Sequence, residues 1–526
     1  MHSSGNPIVA QRTGCYPERM GSFRVWVPPV VGPLLILACG ADGSTEPLAT
    51  ATEAGAAAPI GEVPDAAAVG PSADGAPLPD AGPPVTLTAP LRFALIGDYG
   101  VDTANEQAVA ELVIAESPDF VVTLGDNNYP LGEASTIDAH IGKYYHSFIA
   151  PYTGIYGPGA TVNRFWPCLG NHDWGTDSMQ PYADYFALPG NERYWDLVRG
   201  TVHFFCLDSD PHEPDGRTPA SVQGTWLTGE MAKSTAPFKF VVMHHPPYSS
   251  GEHGSTTTMQ WPYASYGADA VFAGHDHTYE RLSHDGIPYL VQGTGGAANY
   301  DIVTTIPQSV YANDLTHGAT FGRADDHFVV FESITTGKDI DDLFFVPSQK
   351  DKSAVRRTLV EAGASWSFKD DGALPTAGWT NVGFDASAWK AGAGPFGYGR
   401  PGLKTTLSFG GNASQKHVTT WLRRTFDVAS VDDIAWLRVM MKKDDGAALY
   451  LNGTEIYRTN LPSGALGPQT LARYRVDAAA ETAWEPVAAP ASLLRVGENV
   501  VAIELHQVNV ASPDVYFEAS VEAVLR

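Results

Sequence analysis

The chain has 526 residues, more than one hydrophobic core usually organises, so two domains plus unstructured segments are expected. Its 44% hydrophobic and 11% aromatic content is ordinary for a globular protein. A net charge of −26 argues against nucleic acid and anionic membrane surfaces as partners, although screening over roughly 8 Å still lets a local cationic site attract an anionic substrate.

Taken in chain order, the first signal is "VWVPPVVGPLLILAC" (25 to 39), apolar, preceded by Arg24 and too short to span a bilayer comfortably. It resembles a bacterial lipoprotein signal whose lipobox is "ILAC", which makes Cys39 the lipidated residue, the competing reading being plain signal cleavage. Residues 1–39 are thus expected to direct export to the periplasm or exterior, with membrane contact only through such an anchor. Residues 40–88 are almost entirely Ala, Gly, Pro, Asp, Ser and Thr. A stretch that cannot bury apolar surface does not offset the entropy of ordering, so it reads as a disordered tether.

From residue 91 short apolar runs recur: "RFALIGDYG", "FVVTLGDNNY", "FWPCLGNHD", "VHFFCLDSD", "KFVVMHHP", "AVFAGHDH", "IPYLVQGTGG" and "HFVVFESI". Continuous apolar runs bounded by Gly and Asp suit strands covered on both faces. Between them lie helices. "TANEQAVAELVIAESP" carries Thr103 and Glu106 as a capping box, and "SVQGTWLTGEMAKS" is a second helix. Strands alternating with helices give an α/β layered domain over 89–345. Cys168 and Cys206 sit in apolar runs and read as buried free thiols rather than a disulfide, though neighbouring strands would bring them within reach.

After a polar linker, "VPSQKDKSAVRR", the pattern becomes β-rich, and residues 356–526 read as a β-sandwich. "AALYLNGTEIYR" is a hairpin turning at Asn452-Gly453, and "LRVMMKKDD", "NVVAIELHQ" and "DVYFEASVEAV" add strands. Six tryptophans (Trp366, Trp379, Trp389, Trp421, Trp436 and Trp484) fall here, read as core in preference to a sugar platform.

The chemistry lies at the strand ends: Asp98, Asp126 with Tyr129, Asn171 with His172, His244, and His275 with His277. Polar groups at successive strand ends gather in one crevice of an α/β sheet. In "GHDH", alternation along a strand would place His275 and His277 on one face, converging on one site. The donors Asp98, Asp126, Tyr129, Asn171, His244, His275 and His277 exceed what one tetrahedral zinc accepts, so two ions sharing a carboxylate fit better. Two ions about 3.5 to 4 Å apart suit in-line displacement at phosphorus.

These blocks, "GDYG", "GDNNY", "GNHD", "VVMHH" and "GHDH", resemble in order and spacing those of the calcineurin-like metallophosphoesterases, and specifically the purple acid phosphatases, over roughly residues 91–335. The resemblance implies a four-layer αββα sandwich and phosphomonoester hydrolysis by attack of a metal-bound hydroxide. One ion would be held by Asp98, Asp126, Tyr129 and His277, the second by Asp126 as bridge, Asn171, His244 and His275. His172 and His253 match non-ligand positions that bind phosphoryl oxygens or protonate the leaving group, His253 through a loop like that of the tartrate-resistant acid phosphatases. The phenol of Tyr129 suits a trivalent ion, so Fe(III) with divalent Fe, Zn or Mn is expected. His245 is expected to turn away as packing, and His140, His146 and His203 carry no motif. The C-terminal region generally resembles galactose-binding-like jelly rolls and either binds glycan or packs on the catalytic domain. Two other functions stay open: a phosphodiesterase or nucleotide pyrophosphatase on the same scaffold, and a cell-surface carbohydrate-binding protein.

Overall fold

The computed structural model describes residues 90–175, 178–302, 304–462, 464–473, 475–476 and 484–526. The expectations for the signal segment, Cys39 and the tether lie outside these residues. These described residues fall within one compact unit.

Thirteen strands build the catalytic region: β1 (Leu91–Ile96), β2 (Phe120–Thr123), β3 (Phe165–Trp166), β4 (Trp195–Arg199), β5 (Val202–Cys206), β6 (Phe238–Val242), β7 (Ala270–Ala273), β8 (Tyr279–His284), β9 (Ile287–Gln292), β10 (Ser309–Asn313), β11 (Gly318–Ala324), β12 (Phe328–Thr335) and β13 (Ile340–Pro347). They form two sheets, ordered β13-β12-β11-β1-β2-β3 and β10-β8-β9-β7-β6-β5-β4. Parallel pairing joins β1 with β2 and β2 with β3 at one end of the first sheet, and β5, β6, β7 and β9 in the middle of the second. Most of the continuous apolar runs fall in these parallel strands, which are covered on both faces, whereas "HFVVFESI" forms the antiparallel β12. Phe93, Phe120, Phe204, Phe240, Phe272 and Phe331 meet between the two sheets in one buried cluster. On the outer face of the first sheet, Val109, Leu112 and Val113 of helix Ala104–Glu116 pack on Ala94, Ile96 and Val121. On the outer face of the second, Leu227 and Met231 of helix Val222–Lys233 pack on Phe205 and Val241.

Both helix starts follow from their caps. Thr103 Oγ1 accepts the Glu106 N–H, and Ser221 Oγ accepts the Gly224 N–H. The other half of the expected capping box differs: Glu106 Oε2 accepts from Val101 and Asp102 N–H at 3.1 and 2.7 Å, bracing the loop after β1.

Cys168 and Cys206 are joined in a disulfide, with Cα atoms 6.1 Å apart, which corrects the reading of two free thiols. One follows β3 in the first sheet and the other ends β5 in the second, so the bond ties the sheets across their common core. Distance along the sequence carries no sign of that stacking.

The C-terminal region holds two further six-stranded sheets. Strands Ile434–Lys443 and Val515–Leu525 alternate buried and partly buried side chains, the pattern of a sheet with one covered face. The hairpin turns at Asn452-Gly453, both residues left-handed with φ of +51° and +90°, as a two-residue loop of this kind demands. Trp366, Trp421 and Trp436 are core, whereas Trp484 is 39% exposed and Trp379 and Trp389 stack on each other at half-buried positions. The linker is a folded element: Ser348 caps helix Gln349–Lys352, buried Asp351 accepts from Ser348 Oγ at 2.6 Å and meets His327 Nδ1 at 3.1 Å, and Lys352 pairs with Asp269 at 2.7 Å. Polarity there reflects specific partners. Phe328, Leu343 and Phe345 of β12 and β13 join the same buried cluster as Leu422, Trp436 and Val439 of the C-terminal sheets, each worth roughly 1.5–3 kcal/mol of transfer free energy.

Candidate metal centre

The loops that follow β1, β2, β3, β6 and β7 bring all seven candidate ligands to one end of the paired sheets. Three of them, Asp98, Asp126 and His275, have left-handed backbones with φ of +58°, +54° and +72°. Such a conformation costs energy for a non-glycine residue and clusters at functional sites. Because His275 sits past the strand in this state, His275 and His277 do not share a face. Instead His275 Nδ1 lies 3.2 Å from His244 Nε2, while His277 Nε2 lies 3.0 Å from the Tyr129 hydroxyl.

Two groups of donors result. Asp98 Oδ1 is 3.3 Å from Tyr129 Oη and 3.4 Å from His277 Nε2, and Asp126 Oδ2 is 3.0 Å from the same phenol oxygen. On the other side Asp126 Oδ2 lies 3.3 Å from His244 Nε2, which is 3.0 Å from Asn171 Oδ1. Asp126, His244 and His275 offer ligand atoms within 4.8 Å of one another. Asp126 belongs to both groups.

The ring tautomers are set from behind. His244 Nδ1 meets the Leu124 carbonyl at 2.8 Å and His277 Nδ1 meets that of Ala298 at 2.7 Å. Each Nδ1 therefore donates, and each Nε2 points into the donor cluster, where it is free to bind a metal once it gives up a proton. His244 Nε2 then faces Asn171 Oδ1, Asp126 Oδ2 and His275 Nδ1 at once. Acceptors crowded this way need a cation among them, and the donor set fits two metal ions.

The electrostatics agree. Burial depresses the His244 imidazolium, but the Asp126 and Asp98 carboxylates outweigh it and lift its pKa to about 10. Burial, then the Asp126 and Asp98 charges, raise the Tyr129 phenol well above its ordinary value, so a phenolate here requires a cation beside it. Burial and the neighbouring His244 hold His275 neutral.

His172 and His253 flank the cluster at its open side. His172 tilts over the Tyr129 ring at 4.2 Å, its Nδ1 2.6 Å from the Pro130 carbonyl and its Nε2 3.9 Å from Asp126 Oδ2. His253 is exposed and stacks on His275 at 4.4 Å. His245 does not turn away from the cluster: its Nδ1 meets Ser209 Oγ at 2.9 Å, and its ring lies 4.4 Å from that of His275 and 5.0 Å from that of His244. His203 is paired elsewhere, with Asp196.

Two contributors escape sequence reasoning. Tyr300 stacks on His277 at 4.0 Å with a 10° interplanar angle, from a loop with no motif. Buried Asp276 accepts from His253 N–H at 2.7 Å, Gly254 N–H at 3.2 Å and Ser249 Oγ at 2.5 Å, holding the loop that carries His253. Its position inside "GHDH" was a signal, but nothing there names its partners.

Residues 91–279 match the family model of the calcineurin-like phosphoesterases. The rat (Rattus norvegicus) tartrate-resistant acid phosphatase type 5 is 29% identical over 249 residues, covering 40% of this chain and 74% of the relative. Purple acid phosphatase 7 of Arabidopsis thaliana is 28% identical over 239 residues, covering 40% of this chain and 71% of the relative. Among solved structures, a purple acid phosphatase from yellow lupin (Lupinus luteus) seeds aligns with a TM-score of 0.42 at 17% identity, over 49% of this chain and 53% of that one. The chain thus contains a metallophosphoesterase domain and is a metal-dependent phosphoric-ester hydrolase.

Proposed function

We propose that this protein is an exported phosphomonoesterase with a dinuclear centre of Fe(III) and a divalent ion, working best below neutral pH. The observation that carries the reading is the sharing of Asp126 between two donor groups, one of which contains a phenol. Asp98, Asp126, Tyr129 and His277 would hold the ferric ion, and Asp126, Asn171, His244 and His275 the divalent one. When bound, such ions polarise the phosphoryl oxygens and acidify the attacking water.

The chain's own groups do the rest. His172 keeps its Nδ1 proton on the Pro130 carbonyl, so Nε2 is the atom that takes or gives a proton at the mouth. His253, held by its own backbone bond to Asp276, offers a second imidazole to the phosphoryl oxygens or the leaving oxygen. Tyr300 and His253 edge one side of the opening, with ring centroids 5.2 Å apart, and limit the shape of the leaving group. Export is supported by the buried Cys168–Cys206 bond, since disulfides persist in oxidising compartments.

The test is turnover of matched mono- and diester substrates by the metal-loaded full chain, alongside Asn171→Ala and His244→Ala. Monoester preference in the wild type and loss of both metal and turnover in the variants are expected. A diester preference moves the assignment to phosphodiesterase; turnover unchanged in either variant, at unchanged metal content, overturns the ligand set.

A further inference from the structure

At one end of the C-terminal sheets three buried oxygens have no hydrogen-bond partner among the described residues: Asp444 Oδ2, Gln507 Oε1 and Tyr398 Oη. Their residues are 2%, 3% and 7% exposed. Strand register explains why they meet. Tyr398 pairs with Val515, Lys443 with Phe517, and Gly446 with His506, so residues 398, 444–445, 507 and 514 all lie at or next to paired positions at the same end. The Gln507 amide fixes the junction by donating Nε2 to the Asp444 carbonyl at 3.2 Å, which leaves its own carbonyl oxygen unpaired beside that backbone.

The surroundings are acidic. Asp445 is 1% exposed and accepts the N–H groups of Val476 and Val508 at 2.9 and 2.8 Å. Asp514 pairs with Arg400 at 2.7 Å, and Lys443 is drawn to Glu485 at 3.3 Å. Three carboxyl groups (Asp444, Asp445 and Asp514) thus gather against the guanidinium of Arg400, with the Lys416 ammonium 5.7 Å over the Tyr398 ring. Burial, followed by the charges of Asp445 and Asp514, pushes the Asp444 carboxyl up to about 8, as happens to a desolvated carboxylate among like charges. A buried carboxylate oxygen, amide oxygen and hydroxyl without partners are costly groups in a folded protein, and an ion is one of the few things that satisfies all three.

We infer that Asp444, Gln507 and Tyr398, with Asp514 beside them, form a binding site for a hard divalent cation of the calcium class. Every donor is oxygen, which disfavours thiophilic and imidazole-seeking metals. The donors come from one strand end and two loops at irregular positions, which suits the flexible six- to eight-fold coordination of calcium better than the strict octahedron of magnesium. An ion here clasps the loops following strands Phe396–Tyr398, Ile434–Lys443 and Gly497–His506, and so closes the end of the sandwich.

The test is thermal unfolding of the full chain, loaded at its catalytic centre, in 10 mM calcium against 1 mM EGTA at matched ionic strength. With a dissociation constant of about 0.1–1 mM, as for extracellular modules, calcium raises the midpoint by about 3–8 °C. The rise persists in Asn171→Ala, which removes a candidate catalytic ligand, and falls below about 1 °C in Asp444→Asn while phosphatase activity is kept. Should Asp444→Asn not fold, terbium emission sensitised through Tyr398 provides the second readout, present in the wild type, displaced by calcium and reduced in Tyr398→Phe. No calcium-dependent shift in the wild type, an equal shift in Asp444→Asn, or a shift lost with Asn171→Ala overturns the site. The first of these outcomes, with stability that depends on pH instead, assigns the oxygens to a proton shared between Asp444 and Asp445.

Discussion

Gly125→Ala tests the centre through the backbone that supports it. Gly125 has φ of +89°, and a Cβ placed there meets Nδ1, Cβ and Cγ of His244 at 2.6 to 2.7 Å. Two costs follow. Left-handed backbone at an L-residue costs roughly 1–2 kcal/mol, and displacing the imidazole breaks its bond to the Leu124 carbonyl, worth about 0.5–1.5 kcal/mol. Together these amount to about 1.5–3.5 kcal/mol, or a midpoint lowered by roughly 3–14 °C. Function falls further, because a ligand whose ring is no longer held from behind typically loses 10–100-fold in metal affinity or activity. Gly286→Ala separates the two effects: it has φ of +78° but nothing within 4 Å of the added carbon, so it carries the strain alone and leaves turnover unchanged. Calorimetry, metal content and kcat/KM on both variants decide the matter. If Gly125→Ala keeps full metal content and turnover within twofold of wild type, the argument that the Leu124 carbonyl and Gly125 position His244 is wrong.

In the oxidised protein Tyr129→Phe abolishes a visible phenolate-to-iron absorption band while the fold survives; a colourless wild type holding two divalent ions refutes the ferric assignment. In the metal-stripped protein, His244 has a folded value near 10 against about 6.5 unfolded, so its contribution to stability is whole below pH 6.5 and is lost as pH rises through about 10. Denaturant unfolding between pH 6 and 10 therefore shows a steeper decline in wild type than in His244→Gln, and identical slopes refute the coupling to Asp126. Removing the Cys168–Cys206 bond with paired alanine substitutions frees a loop of 38 residues and lowers stability by about 4 kcal/mol on the chain-entropy account; a urea-unfolding loss below about 1 kcal/mol would show that the bond does little to hold the sheets.

Much was legible because it is local. Apolar runs ending in Asp, Asn or His specify strands with ligand-type residues at their ends, and Thr103, Ser221 and Asn452-Gly453 announce two helix starts and a hairpin. The seven donor identities and their order are in the same class. Strands β4, β8, β10, β11 and β13 were not read, since they are short, mixed in polarity or antiparallel additions whose pairing depends on distant neighbours.

Tertiary structure decided the remainder. Cys168 and Cys206 pair because two sheets stack, and Asp126 faces two donor groups because its backbone is left-handed. The direction of each imidazole is set by carbonyls at Leu124 and Ala298. Tyr300 reaches His277 from the loop between β9 and β10, and Gln507 reaches Asp444 from just beyond the paired residues Gly446 and His506. Periodicity along a chain encodes which side of an element is buried, whereas the partner across the gap is chosen by how whole sheets pack, and that depends on all the elements at once.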